Sequence, residues 1–361
     1  VNENDVRNLL PMKDCIEAME EAFVAYANGT GGMPLRQVVK LPFTPNDNTD
    51  VGFLASMPSY TLNSDRGGGD YAACKCISVF PKNSHTDGRF SSHQGLVQLW
   101  NKSGNGELLL VADAHEITKI RTAAASALAT RTILRKKNQQ GCENTSVLSI
   151  LGTGSQAYSH AEAMMEVLPN LERIKIWGRN QEKAQILGDK IQNQLNPTNI
   201  SITVHETVDS CIDLADVMCT VTSSTVPILT KDHIDRLKPG CHLNAVGSCT
   251  PQHHELDPEI FQFCVQNGED GNSLKQKIVT DSVDACMKEP GEVLSYLKNK
   301  TAQEEDHSSN FVGLGDLLVN GSEESVGDIS FHGEGLTIFK SLGIALEDLY
   351  AAKVIYENMK K

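Results

Sequence analysis

The sequence predicts an α/β protein built from two unlike parts. A segment alternating between strand and helix fills the middle of the 361-residue chain, and strands joined by short turns precede it. Three observations carry this. A glycine turn, Gly152-Thr-Gly154-Ser-Gln-Ala157, stands between an apolar run at 147–151 and a helix-like stretch at 157–168. From there to residue 246, apolar runs alternate with amphipathic stretches, as in a doubly wound parallel sheet. Before residue 112, strand-like runs are separated by short turns, the pattern of a mostly antiparallel sheet.

In chain order, residues 4–28 read as an amphipathic helix interrupted at Pro11, with Val6, Leu9, Leu10, Ile16, Met19, Ala22 and Phe23 on its apolar face. Strands follow at 37–41, 51–57 (closed by Pro58), 72–80, 94–100 and 108–111, the last two joined by the turn Asn101-Lys-Ser-Gly-Asn-Gly106. A helix at 117–134 leads to the glycine turn. Beyond the turn come a strand at 171–177, a helix at 181–195 and a strand at 200–205. A short helix at 208–214 and strands at 216–222 and 242–246 complete the alternation. Residues 304–328 are acidic and poor in large apolar side chains, and read as a surface connection. The chain closes with Leu336-Thr-Ile-Phe-Lys340 and a helix at 341–359.

The glycine turn is what a dinucleotide site requires. Gly152 permits the tight turn, Gly154 lets backbone approach a pyrophosphate, and the helix N-terminus offers N–H groups to the phosphates. Ala157 replaces the third glycine with a residue small enough for helix and strand to pack. The next strand ends in Gly178-Arg179-Asn180, without the acid that would accept from a ribose 2′-hydroxyl. A fixed cation beside an amide suits a 2′-phosphate, so the expected cofactor is NADPH, with NADH bound more weakly.

Composition narrows the function. Hydrophobic content of 40% and charged content of 22% are those of a globular protein, and the length suffices for two domains. A net charge of −14 opposes binding to nucleic acid or an anionic membrane. Ten cysteines without a CxxC pair read as reduced thiols, and the N-terminal residues lack a signal-peptide pattern, so the expected compartment is the cytoplasm. His253-His254 are adjacent and point apart, so no metal site is expected.

Four motifs in order, Arg121-Thr-Ala-Ala-Ala-Ser-Ala-Leu-Ala-Thr130, Gly152 to Ala157, Asn244-Ala-Val-Gly247 and Phe339-Lys-Ser-Leu-Gly-Ile-Ala-Leu-Glu-Asp348, resemble the ornithine cyclodeaminase/mu-crystallin family. The likeness runs nearly end to end. It implies a Rossmann-type NAD(P)-binding domain at 129–329, inserted in an α+β substrate-binding and dimerisation domain made of 1–128 and 330–361. The resemblance and the apolar face of the N-terminal helix together point to a homodimer. At the position of the cyclodeaminase Asp this chain has Cys249, within Gly247-Ser-Cys-Thr-Pro251, and a thiol cannot offer a carboxylate to an amino group. Ornithine cyclisation is therefore not expected, and the chain sides with the mu-crystallin branch.

That branch implies a ketimine reductase acting on small cyclic imino acids, with an iodothyronine as a further candidate ligand. A non-catalytic crystallin or hormone-binding protein, and an amino-acid or opine-type dehydrogenase, stay open as alternatives. The resemblance places Arg36, Lys75 and Arg121 at the active site as candidate catalytic residues. Guanidinium forks suit the substrate carboxylate, and Lys75 suits a charge or a proton near the imine nitrogen. Candidate cofactor residues are Ser92, His93, Thr122, Gly152, Thr153, Gly154, Ser155, Gln156, Arg179, Asn180, Thr222, Ser223, Val246, Lys340 and Ser341.

Overall fold

The computed structural model describes residues 1–42, 50–62, 70–80, 83, 90–137, 141–266, 277–298, 307–319, 331 and 334–361. Pro11, which cannot continue a helix through its missing N–H, separates α1 (Glu3–Leu9) from α2 (Met12–Ala27). The Asn2 side chain accepts from the Asp5 N–H and the Asp5 carboxylate accepts from the Asn2 N–H, a reciprocal cap that fixes the start of α1. Next come β1 (Gly31–Gly32), β2 (Gln37–Pro42), β3 (Asp50–Thr61), β4 (Tyr71–Val79), β5 (His93–Asn101) and β6 (Leu108–Asp113). They form one antiparallel sheet in the order β1-β3-β4-β5-β6, with β2 also paired to β3.

The strand expected to stop at Pro58 continues to Thr61. Pro58 pairs with Cys74 on one side, while on the other side β2 pairs with β3 no further than Ser56 and β1 only from Tyr60. Between those two partners no ladder bond needs a proline N–H.

The helix α3 (Ala114–Lys137) leads into β7 (Val147–Leu151), α4 (Ser155–Val167), β8 (Arg173–Trp177), α5 (Gln181–Leu195), β9 (Ser201–His205), α6 (Val208–Ile212), β10 (Val217–Thr220) and β11 (His242–Ala245). Then follow α7 (Pro258–Gln266), β12 (Ile278–Thr280), α8 (Val283–Cys286), α9 (Gly291–Lys298), β13 (Phe311–Gly313), α10 (Leu314–Val319), β14 (Thr337–Lys340) and α11 (Ala345–Asn358). The second sheet is parallel, in the order β13-β12-β14-β11-β10-β7-β8-β9. Strand order reverses at β7: β8 and β9 extend it one way and β10 the other. Such a switch point opens a crevice at the carboxyl ends of the strands.

Two compact units result, Val1–Thr122 with Gly343–Lys361, and Ala123–Leu342. The divisions thus fall at 122/123 and 342/343 rather than at 128/129 and 329/330. The later one moves because β14 pairs in parallel with β11 and β12, which makes it a strand of the second unit. The surface connection expected at 304–328 is corrected over its described part: β13 and α10 form there, and β13 is an edge strand paired to β12. The remainder of that stretch lies outside the described residues.

In the first unit α11 packs across β3, β4, β5 and β6 and against α2. Cys15, Ile16, Met19, Ala22 and Phe23 of α2 are buried in this arrangement, so its apolar face is used within the chain and is no argument for a dimer. In the second unit Cys211, Cys219, Cys241 and Cys286 are buried, and all ten cysteines are free thiols. No helix among the described residues is long and apolar enough to cross a membrane.

Candidate active site

In the first unit, Lys75 lies in the middle of β4 between Met57 of β3 and Val97 of β5. Alternation along the strand turns it away from Cys74 and Cys76, to the face covered by α11, and it is 2% exposed. Its Nζ is 3.0 Å from Asp348 Oδ1 and 2.8 Å from Oδ2. Arg121 arrives from α3, where its neighbours from Thr122 to Thr130 are small or aliphatic enough to be buried all round. Arg121 Nε donates to Asp348 Oδ1 at 3.1 Å and Nη1 to Glu347 Oε2 at 2.9 Å. Glu347 Oε1 accepts from the Ile344 N–H at 2.9 Å, and the first turn of a helix favours such anions. Arg36, half-buried, donates from Nη2 to the Gly343 carbonyl at 3.1 Å. Gly343 must be glycine: its φ is +77°, and a Cβ there would lie 2.3 Å from Arg121 Nη1.

The structure therefore brings Arg36, Lys75 and Arg121 together, and adds two buried carboxylates that the sequence reading did not single out. Two acids inside the otherwise apolar run Ile344-Ala-Leu-Glu-Asp-Leu-Tyr were the available signal. Arg121 is also corrected in part. The Nε and Nη1 of its fork go to the chain's own acids. Burial pushes the Lys75 ammonium down to about 8, helped by Arg121 and Arg36 and opposed by Asp348. Thr122, next to Arg121, is buried. Ser92 and His93 stand apart: His93 is exposed, bonded through Nδ1 to Ser92 Oγ at 3.0 Å, and pairs with Val79. Four residues of strand, about 13 Å, separate that level from Lys75.

In the second unit, the other cofactor candidates all stand where strands β7, β8, β10, β11 and β14 end. Gly152 has a φ of +138°, and a Cβ would meet Val221 O at 2.8 Å, so fold geometry alone requires glycine. Gly154 is different. Its backbone is extended, a Cβ would touch nothing within 4 Å, and no side chain caps the start of α4. Open space before an uncapped helix start fits a phosphate. A Cβ on Gly178 would lie 2.3 Å from Thr153 Cγ2, so the turn after β8 leans on the glycine turn and carries exposed Arg179 beside it. Asn180 caps α5, accepting from the Lys183 N–H at 2.9 Å.

Thr222, Ser223 and Val246 follow β10 and β11, and a buried acid fixes that backbone. Glu255 accepts from the N–H of Thr222 at 2.5 Å and of Gly247 at 2.7 Å, and from Thr220 Oγ1 at 2.8 Å. Burial and then Glu292 raise its pKa, against the bond from Thr222. Lys340, expected at the cofactor, is instead fully buried. Its Nζ lies 3.2 Å from Glu292 Oε1 and donates to the Ala245 carbonyl at 3.0 Å. Burial alone would lower Lys340, but Glu292 and Glu255 outweigh it and hold it raised. Ser341 is likewise turned inward, its Oγ 3.5 Å from Asp281 Oδ2. Both side chains bond to neighbouring acids, and that of Lys340 also to the sheet. No group of three or more His, Cys, Asp or Glu among the described residues could hold a metal ion.

A doubly wound sheet with an open glycine turn in one unit and an antiparallel sheet holding a buried cation cluster in the other define a Rossmann-type dinucleotide-binding protein with a second α+β unit. The chain belongs to the ornithine cyclodeaminase/mu-crystallin family, whose profile it matches over residues 1–361. It is 33% identical over 346 residues to the ketimine reductase mu-crystallin of Mus musculus, covering 95% of this chain and 91% of that one. Among solved structures it resembles the Δ1-pyrroline-2-carboxylate reductase of Thermococcus litoralis in complex with NADH and L-proline (TM-score 0.81, 25% identity, 100% and 97% of the two chains). It also resembles an archaeal alanine dehydrogenase dimer with bound NAD (TM-score 0.78, 26% identity, 100% and 95%).

Gly154→Ala is expected to leave thermal stability unchanged and to weaken dinucleotide binding about tenfold or more, because the methyl takes space that only a ligand would fill. Calorimetric titration with NADPH and NADH alongside a thermal melt checks this. Unaltered affinity would remove the phosphate from that turn.

Proposed function

We propose that this protein is an NADPH-dependent ketimine reductase that reduces the C=N bond of small cyclic imino acids in the cytoplasm. The observation that carries the reading is Lys75, an ammonium held on the buried face of a sheet between a carboxylate and two guanidinium groups. A strand interior tolerates such a group when it has a charge or a proton to deliver. One relative is named a ketimine reductase and one similar structure a Δ1-pyrroline-2-carboxylate reductase, a name that sets a carboxylate beside a cyclic C=N bond, and the same chemistry suits this cluster.

The residues divide the work as follows. The α4 N-terminus and the Gly152–Gly154 turn hold the pyrophosphate, and Arg179 takes the 2′-phosphate. A bound nicotinamide dinucleotide supplies the hydride that reaches the imine carbon. Arg36 meets the substrate carboxylate, because Arg121 is already committed to Glu347 and Asp348. Lys75 gives a proton to the imine nitrogen as the C=N electron pair moves onto it, and water restores the ammonium. With Cys249 where a cyclodeaminase has its Asp, ornithine is not a substrate of this reading. A carrier without chemistry, for an iodothyronine or otherwise, has no use for a buried ammonium of this kind. An amino-acid or opine-type dehydrogenase would run related chemistry in reverse, and substrate assays in both directions separate the two.

The protein acts in this reading as a homodimer. Support comes from the sheet face opposite Lys75, where Val39, Leu54, Tyr60, Leu96 and Leu108 are each more than two-fifths exposed. Sedimentation equilibrium at micromolar protein should give the mass of two chains, and a monomer would exclude this use of the face.

Lys75→Met is expected to lower turnover of Δ1-piperideine-2-carboxylate by about 10²-fold or more, with NADPH affinity held within a few-fold. In the wild type, kcat/KM should fall as pH rises through about 8, since only the protonated ammonium donates. Wild-type turnover in the methionine variant would take Lys75 out of the chemistry. Arg179→Ala should cost NADPH roughly 1.5–3 kcal/mol of binding and NADH almost nothing, measured by fluorescence titration. An equal loss for both cofactors would show that Arg179 does not read the 2′-phosphate.

A further inference from the structure

The carboxylate of Asp348 is shared. It is 1% exposed, and its Oδ1 accepts from Lys75 Nζ at 3.0 Å and from Arg121 Nε at 3.1 Å. Those donors lie 273 and 227 positions away in the sequence, on β4 and α3. The groups around the ammonium come from several elements. From α11 come Asp348 and Glu347, the latter bonded to Arg121. From α3 comes Arg121, and ahead of β2 stands Arg36. On α2, Cys15 faces Glu347 and Arg121, but burial pushes its thiol up, so it brings no charge. The flanking strands present Met57 and Val97, and Cys74 and Cys76 lie on the other face of β4. Among the described residues, Asp348 alone sets a carboxylate within ion-pair distance of Lys75.

Two guanidinium groups therefore push Lys75 toward the neutral amine, as burial does. One carboxylate opposes them. The geometry points to Asp348 as a positioning residue of the reaction, which keeps the Lys75 ammonium charged and aimed while Arg121 clamps the same carboxylate in place. This rests on the reading of Lys75 as proton donor. The proton count closes. Lys75 gives one proton to the imine nitrogen, becomes a neutral amine still bonded to Asp348, and takes one proton back from water. Through that interval Arg121 keeps the carboxylate paired, so Asp348 is never a bare buried anion and need not take the proton itself.

The test is the pH dependence of kcat/KM for NADPH-driven reduction of Δ1-piperideine-2-carboxylate by the full chain carrying Asp348→Asn. The alkaline limb should move down by about one pH unit or more, because the amide removes the carboxylate charge bonded to the ammonium. Activity at about pH 8 then drops tenfold or more, and much of it returns near pH 6. NADPH affinity stays within a few-fold, and Asp348→Glu moves the limb back toward the wild-type position. A uniform loss at every pH, with the limb unmoved, would overturn the proposal and leave Asp348 a packing residue. Should the asparagine variant not fold, Arg121→Gln carries the test with opposite sign. Lys75 would gain sole use of the carboxylate and lose a repelling neighbour, so the limb should rise, and a fixed limb would again overturn it. An inactive Lys75→Met enzyme beside an immobile limb sinks this inference alone, whereas an active one sinks the reading beneath it.

Discussion

Two cations and two carboxylates, Lys75, Arg121, Glu347 and Asp348, are held almost without access to water in the first unit. Each such group costs several kcal/mol to bury, and removing one partner from a pair of this kind typically costs about 3–5 kcal/mol. Each member of the cluster is therefore stabilised by the others. The members come from β4, α3 and the first turn of α11, so three distant stretches of chain must be in place together. That requirement accounts for the discontinuity of the unit: residues 343–361 belong with residues 1–122 because the acids that balance β4 and α3 are carried there. Gly343 is part of the same constraint, since only a residue without a side chain lets the chain turn against the Arg121 guanidinium.

The second unit meets a related problem differently. The loops after β10 and β11 present backbone N–H groups to Glu255, which is buried and flanked by Glu292. Glu292 in turn accepts from the N–H groups of Glu255 and Leu256 and faces Lys340. Here acidic side chains organise loop backbone, leaving the glycine turn and the strand-end cation as the parts open to a ligand. Charge in the first unit sits where chemistry is proposed. In the second it sits behind the binding surface and shapes it.

Local pattern made much of this legible. The glycine turn could be read because its backbone demands are local, and β7 to β11 because each is an apolar run bounded by polar turns. The antiparallel strands declared themselves by alternation. What escaped depended on pairing across the chain. β12 and β13 have three residues each, too few for a period of two to stand out. β14 looked like the lead-in to the last helix and is instead a strand between β12 and β11. Lys340 carried a cofactor expectation by motif alone, and only its burial beside Glu292 shows that it faces inward. Glu347 and Asp348 were visible as letters, but an acid on a helix is ordinarily solvated. Nothing short of the fold reveals that β4 passes beneath that turn. Pro58 misled for a similar reason: whether a proline ends a strand depends on which neighbour lies opposite its nitrogen.

The buried thiols have a use that concerns neither substrate nor cofactor. Burial raises Cys15 in the first unit, and Cys211, Cys241 and Cys286 in the second, the last three to about 12. Alkylating reagents attack thiolates, so these sulfurs are protected twice, by lack of access and by lack of charge. Each becomes reactive only when the structure around it opens. Because Cys15 lies in one unit and the others in the second, the native chain carries its own set of opening sensors. Mass-resolved alkylation over time would read the opening rate of each unit separately, without adding a probe.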